Sequence, residues 1–275
     1  MKVAVTGAGG YIGRHVVEAL LSQGHEVVAV DFVHEGIDER AAIADVNLFS
    51  GEADMYDQLG RPDSVIHLAW KDGFVHNSNA HMDYLSSHYI FLRNLVDAGC
   101  KNISVMGTMH EIGFYEGKID ENTPCNPLSQ YGIAKNALRQ ALLTYTKDKD
   151  VNIFWLRAYY ILGDDSKNNS IFAKILAAVD EGKKEFPFTT GKNQYDFIQV
   201  DELAEQIAKA STQTEYTGII NVCSGKPISL GERVEQFIKD NQLDITLKYG
   251  VFPERPYDSK IEYGDSTIIE KIMGR

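Results

Sequence analysis

The first thirteen residues, MKVAVTGAGGYIG, place four glycines in the seven positions that follow a short apolar run. Glycine costs backbone entropy and offers no side chain to pack, so such a cluster serves where a chain must turn tightly or approach something closely. The run at 2–6 reads as a buried strand, and 11–24 reads as a helix that stops at Gly24. Strand, glycine turn and helix in that order gather free N–H groups and the positive end of the helix dipole at one point, which favours a phosphate. In such a turn Gly7 permits the bend, Gly10 lets the backbone approach a pyrophosphate, and Gly13 lets the helix sit close to the strand. The pattern also fits a strand–helix turn that binds nothing, so the rest of the chain must decide.

Short β-branched runs alternate with longer amphipathic stretches. Strands are expected at 25–31, 41–46, 64–70, 102–108 and 151–159, with helices at 81–99 and 129–147 between them. Connections of that length are crossovers, so the sheet is parallel and the fold is α/β, a doubly wound sheet of the Rossmann type. Beyond residue 160 the pattern is less regular, with helices expected at 170–182, 203–211 and 231–240 and a strand at 218–224. The expected layout is a dinucleotide-binding domain over 1–160, rejoined by 196–224. A small interleaved C-terminal lobe over 161–195 and 225–275 would bind substrate.

Asp31 ends the second strand. A carboxylate there can accept both ribose hydroxyls of adenosine and would repel a 2′-phosphate, which predicts NAD over NADP. Arg14, beside the turn, keeps NADP open, and Asp45, after the third strand, is placed to reach the adenine. The net charge of −12 argues against a nucleic-acid partner. No apolar run approaches the ~20 residues of a membrane helix. Three widely spaced cysteines and no signal-like leader fit a reducing, cytoplasmic compartment. The histidines are scattered, so no metal is expected.

The helix at 129–147 opens with SQYGIAK, which puts Tyr131 and Lys135 on one face. An ammonium beside a phenol favours the phenolate and makes the pair a general acid/base. Tyr145 and Lys149 repeat the spacing at the far end of the same helix and read as surface or packing residues. Position selects Tyr131. The glycine turn, Asp31, the loop KDGFVHNS at 71–78 and Thr108 all follow parallel strands, and ligands bind at that edge of such a sheet.

Six stretches, TGAGGYIG, VIHLAW, SVMGTMHEIG, YGIAK, YDFIQVDELA and INVCSGKPISL, stand in this order along almost the whole chain. Together they resemble the landmarks of extended short-chain dehydrogenases/reductases, and more narrowly the NAD-dependent epimerase/dehydratase family of nucleotide-sugar enzymes. The resemblance implies a catalytic triad of Thr108, Tyr131 and Lys135. The tyrosine would pass a proton to or from a sugar oxygen, the hydroxyl would hold that oxygen, and the lysine would hold the nicotinamide ribose and depress the phenol pKa. Cofactor contacts are expected at Gly7, Gly10, Tyr11, Ile12, Gly13, Asp31, Asp45, Leu68, Ala69, Tyr131 and Lys135.

Departures from the family pattern narrow the chemistry. Met109 and His110 stand where sugar dehydratases carry an Asp-Glu pair, so dehydration is not expected. Tyr160 and Tyr195 replace the asparagine and arginine usual in galactose-type 4-epimerases. The GT..E.G form of 107–113 looks more like reductases of 4-keto deoxysugar nucleotides. Substrate contacts are expected at Lys71, His76, His110, Tyr160, Tyr195 and Arg255, the last as a clamp on the diphosphate. Asp72, on the same edge loop, could also meet the sugar. His67 reads as structural, His88 as packing or lining the cofactor, and Glu111 as either a ligand contact or a solvated turn. The leading expectation is an NAD(P)-dependent reductase of a 4-keto sugar carried on a nucleoside diphosphate. The alternatives are a 4-epimerase and a non-catalytic dinucleotide-binding sensor. Relatives often dimerise through the helices expected at 81–99 and 129–147.

Overall fold

A computed structural model describes residues 1–163, 170–253 and 258–275. The first half contains β1 (Lys2–Thr6), α1 (Gly13–Ser22), β2 (Glu26–Val30), β3 (Ala42–Ile43), α2 (Met55–Gln58), β4 (Ser64–His67), α3 (Ala80–Asp83), α4 (Leu85–Asp97) and β5 (Asn102–Thr108). Then come β6 (Gly117–Ile119), α5 (Gln130–Thr146), β7 (Asn152–Ala158), β8 (Tyr160–Leu162), α6 (Ile171–Asp180), β9 (Glu185–Pro187), β10 (Gln194–Gln199) and α7 (Val200–Ser211). The chain ends with β11 (Gly218–Val222), β12 (Pro227–Ser229), α8 (Leu230–Asp240), β13 (Thr246–Lys248), β14 (Ile261–Gly264) and α9 (Thr267–Met273).

Among the described residues, seven strands form one parallel sheet in the order β11-β7-β5-β4-β1-β2-β3. Strand order reverses between β1 and β4, and a crevice opens at such a point beyond the carboxyl ends of the strands. Alternation along β1 sorts the two faces. Val3 and Val5 join Val16, Val17 and Leu20 of α1 and Leu203 and Ile207 of α7. Ala4 faces the other way, toward Phe91, Leu92 and Leu95 of α4 and Leu138 and Leu142 of α5. Both faces are covered, which is why these strands read as continuous apolar runs.

The expected strand at 41–46 shrinks to two exposed residues, Ala42–Ile43, at the sheet edge. The expected helix at 81–99 is divided at Tyr84, which ends α3 and begins α4. Within 196–224, α7 packs on α1 and β11 pairs with β7. Near the chain's end, α9 packs against α7 and β11.

A second sheet, β12-β10-β14-β6, carries β8 on β10, and β13 pairs with β9. Its apolar cluster brings Phe172 and Ile175 of α6 against Phe188, Val234 and Ile245. Asp196 of β10 joins the two sheets. Its fully buried carboxylate accepts from Ser224 N–H (2.9 Å), the Ser224 hydroxyl (2.6 Å), Gly225 N–H (2.9 Å) and Gly264 N–H (3.1 Å). Buried donors left without an acceptor are costly, so Asp196→Ala is expected to lose about 3 kcal/mol or more of stability in urea unfolding. A loss below about 1 kcal/mol would show that this carboxylate does not join the sheets.

Candidate active site

The glycine turn is built by contact. Gly7 has φ +74°, and a Cβ there would lie 2.6 Å from Ala69 N. A Cβ on Gly13 would lie 1.9 Å from the Gly7 carbonyl oxygen, so only glycine lets α1 start against the end of β1. Gly9, which the sequence reading left without a role, donates its N–H to Asp31 Oδ2 (2.9 Å) and packs on the Val33 carbonyl. Asp31 also accepts from the N–H groups of Phe32 (2.7 Å) and Val33 (3.3 Å), which fixes its carboxylate at the end of β2.

A cleft of about 860 Å³ opens above this turn. Its lining includes Gly7, Gly10, Tyr11, Ile12, Gly13, Asp31, Leu68, Ala69, Lys71, Tyr131 and Lys135. Asp45 is not among the lining residues; it is exposed, and Val46 lines the cleft in its place. Lys71 sits over the Tyr84 ring (5.4 Å), on the glycine-turn side. A second cavity of about 810 Å³ adjoins the cleft, and Tyr11, Ile12, Met106 and Tyr131 line both. Tyr11 ties the glycine turn to the end of β8 there by donating its hydroxyl to the Gly163 carbonyl (2.5 Å).

Thr108 is the last residue of β5, and its hydroxyl accepts from His110 N–H (3.2 Å). Ser129 caps α5 by accepting from Gly132 N–H (3.2 Å), and Tyr131 N–H donates to the His76 carbonyl (2.9 Å). A Cβ on Gly132 would meet the His110 carbonyl at 2.3 Å, so the YG pair lets α5 begin against the Thr108 turn. Thr108 and Tyr131 thereby line the same cavity.

Lys135 is buried; its Nζ donates to the Met106 carbonyl (2.8 Å) and lies 3.7 Å from the centroid of the Trp70 ring. Burial pushes its pKa down to about 7, opposed by the negative charge of Glu111. Burial and the Glu111 charge push the Tyr131 phenol above the usual tyrosine range, opposed by the Thr108 hydroxyl. The expectation is that Lys135 lowers the phenol pKa; in this arrangement desolvation outweighs that effect. Its ammonium is 5.9 Å from the phenol ring centroid and directed at Trp70 and Met106, while desolvation dominates. Tyr131 therefore keeps its proton at neutral pH.

Glu111 is neither a solvated turn nor a cavity residue. It is fully buried and accepts from Thr108 N–H (2.8 Å) and Trp155 Nε1–H (2.9 Å), with Arg139 at 3.3 Å and Arg157 at 3.7 Å. Burial raises its pKa, and Arg157 works against that rise. His76 and His110 both line the second cavity with ring centroids 4.3 Å apart, and the His76 ring stacks on Tyr131 at 5.7 Å. Burial lowers both, His110 to about 4, so both are neutral imidazoles. Tyr160 and Tyr195 line the same cavity with rings 4.6 Å apart. Tyr160 donates to Glu262 (3.1 Å), whose pKa burial pushes up to about 7. Arg255 lies outside the described residues.

His67 is buried in β4, 2.8 Å from Thr6 Oγ1 and 2.9 Å from His88 Nδ1, and His88 lines the cleft. Tyr145 and Lys149 both bind Asp97 at the far end of α5. Asp72 accepts from the Ser78 hydroxyl (2.6 Å) within its loop and lines the cleft on the Lys71 side. The sequence reading missed Trp70, Lys174 and Glu262 as lining residues. For Trp70 a signal was present, a large aromatic just past the carboxyl end of a parallel strand.

The model of the NAD dependent epimerase/dehydratase family matches residues 3–223. A curated relative from Aggregatibacter actinomycetemcomitans, dTDP-6-deoxy-L-talose 4-dehydrogenase (NAD(+)), is 46% identical over 271 residues, which cover 96% of this chain and 99% of the relative. A UDP-N-acetylglucosamine 4-epimerase from Methanobrevibacter ruminantium superposes with a TM-score of 0.84 at 22% identity, covering 98% of this chain and 91% of that one. A Thermus thermophilus UDP-glucose 4-epimerase solved with NAD gives 0.83 at 22% identity, covering 100% and 94%. These two likenesses concern the fold, whereas the family-model match spans both the glycine turn and the Thr108–Tyr131–Lys135 group, and the chain belongs to the NAD dependent epimerase/dehydratase family.

Proposed function

We propose that this chain is an NAD-dependent oxidoreductase that interconverts the 4-keto and 4-hydroxy forms of a deoxyhexose carried on a nucleoside diphosphate. The observation that carries the reading is the meeting of Thr108, Tyr131 and Lys135 where the glycine-turn cleft joins the second cavity. The 46% identity to a dTDP-6-deoxy-L-talose 4-dehydrogenase supports the same carbon and the same sugar class. The 4-epimerase alternative has weaker support, from folds at 22% identity and from curated 4-epimerases at 23% and 27% identity. The assembled triad speaks against a sensor without catalysis.

The residues fit a dinucleotide. The Gly7–Gly13 cradle would be filled by side chains at Gly7 or Gly13, and Asp31 stands at the end of β2 with acceptor capacity for ribose hydroxyls. Bound there, the cofactor supplies or accepts a hydride at the sugar carbon. In the reducing direction the protonated Tyr131 Oη donates its proton to the carbonyl oxygen as that oxygen gains charge. The Thr108 hydroxyl donates to the developing alkoxide while accepting from His110 N–H. The Lys135 ammonium stabilises the phenolate left behind. His76, His110, Tyr160 and Tyr195 are proposed to contact the substrate from the second cavity. A homodimer through α4 and α5 belongs to the same proposal, supported by their side-by-side packing on one face of the sheet.

Tyr131→Phe is expected to lower kcat about 10²-fold or more with KM changed far less. Near-normal turnover of a 4-keto-6-deoxyhexose nucleotide would remove Tyr131 from the chemistry. Asp31→Asn keeps the shape and removes the charge. It should narrow the ratio of NADP to NAD dissociation constants about tenfold or more, by titration calorimetry. An unchanged ratio would mean that Asp31 does not set the preference. The working form of Lys135 is the ammonium, present below its pKa and lost above it. Reduction is therefore expected to fall as pH rises through and beyond about 7, and Lys135→Met should lose both that limb and most of the rate.

A further inference from the structure

Lys135 presents a physical problem that the triad does not solve. An ammonium with almost no water contact must stay charged to act beside Tyr131. Among the described residues its one hydrogen bond is to the Met106 carbonyl. The carboxylate that favours its charge, Glu111, is shared with Arg139 and Arg157. The other titratable groups around it give no counter-charge. His88 on α4 and His67 on β4 are held neutral by burial, with the Lys135 charge itself lowering both, and Tyr131 on the same helix is a neutral phenol.

What lies nearest is the Trp70 indole, with Lys135 Nζ 3.7 Å from its centroid, well inside the range of a cation–π contact. The indole is held in that pose from two directions. Its Nε1–H donates to His81 Nδ1 (3.0 Å), and His81 Nε2 in turn faces the Val75 carbonyl (2.9 Å). The His88 ring stacks on it at 4.3 Å with planes 16° apart. A tryptophan so tethered at the edge of the cofactor cleft is placed for its π face as well as its bulk.

We propose that Trp70 is a positioning residue for the reaction: its π face holds the Lys135 ammonium in place and keeps it charged in a desolvated site. The inference rests on the reading of Lys135 as the working cation beside Tyr131. It adds that the indole sets the upper pH limit of that work. Trp70→Phe keeps an aromatic face and loses the N–H to His81, whereas Trp70→Leu loses both, so the pair separates the cation–π contact from the hydrogen bond.

The test is the Lys135 pKa, read directly from the chemical shift of its 13Cε in lysine-labelled protein and assigned with Lys135→Met. It is expected to fall by about one unit in Trp70→Leu and by clearly less in Trp70→Phe, with the high-pH limb of kcat moving down in step. A second measurement keeps the fold intact if the leucine variant fails to fold. Replacing both tryptophans by fluorinated analogues weakens the π face at constant shape, and the Lys135 pKa should drop stepwise with fluorine number. An unchanged Lys135 pKa in the leucine variant or across the fluorinated series would overturn the role of Trp70. If Lys135→Met keeps wild-type activity, the reading of Lys135 itself fails, whatever the Trp70 series shows.

Discussion

The Glu111 carboxylate is the charge around which the catalytic end is arranged. It is fully buried, and its four partners come from three elements: Thr108 N–H at the end of β5, the Trp155 indole and Arg157 guanidinium on β7, and Arg139 on α5. Breaking such a buried group from its partners costs about 3–5 kcal/mol, so it fixes the end of β5 against the start of α5. That juxtaposition puts Thr108 and Tyr131 on one cavity. The same negative charge reaches both Tyr131 and Lys135, holding the phenol protonated and the amine toward its charged form. One carboxylate thus sets both the geometry and the field of the triad without touching the cavity.

The field has a direction that bears on the chemistry. A phenol pushed above its ordinary range is protonated at neutral pH, so the proton is in place, while burial makes it a weaker acid than a free phenol. In the reducing direction that proton is the one the carbonyl oxygen would take up. The neutral His76–His110 pair next to Tyr131 leaves that balance undisturbed, since neither imidazole carries charge at neutral pH.

The parallel sheet was legible because its strands are local apolar runs and its helices follow them at readable spacing. Residues 102–108 and β5 coincide, and the helix expected at 129–147 lies within one residue of α5 at each end. Gly7, Gly13, Thr108, Tyr131 and Lys135 could be brought together because edge loops of such a sheet converge. What could not be read depends on contacts between distant segments. The second sheet is made of three- to six-residue strands whose pairings span the chain, as when β14 pairs with β6, and no local period marks them. Glu111 looks in sequence like any acid after a strand, and only Arg139 and Arg157 arriving from elsewhere make it a buried anchor. The effect of Lys135 on Tyr131 was argued from spacing alone, which carries no information about desolvation or about Trp70 intercepting the ammonium.

The most direct measurement follows the hydride. NADH deuterated at the nicotinamide C4 would be incubated with the protein and a 4-keto-6-deoxyhexose nucleotide, and the sugar product examined by NMR and mass spectrometry. The account predicts one deuterium at sugar C4 and one oxidised cofactor per product formed. A 4-hydroxy sugar epimerised without net cofactor oxidation, or cofactor binding with no turnover, would contradict it.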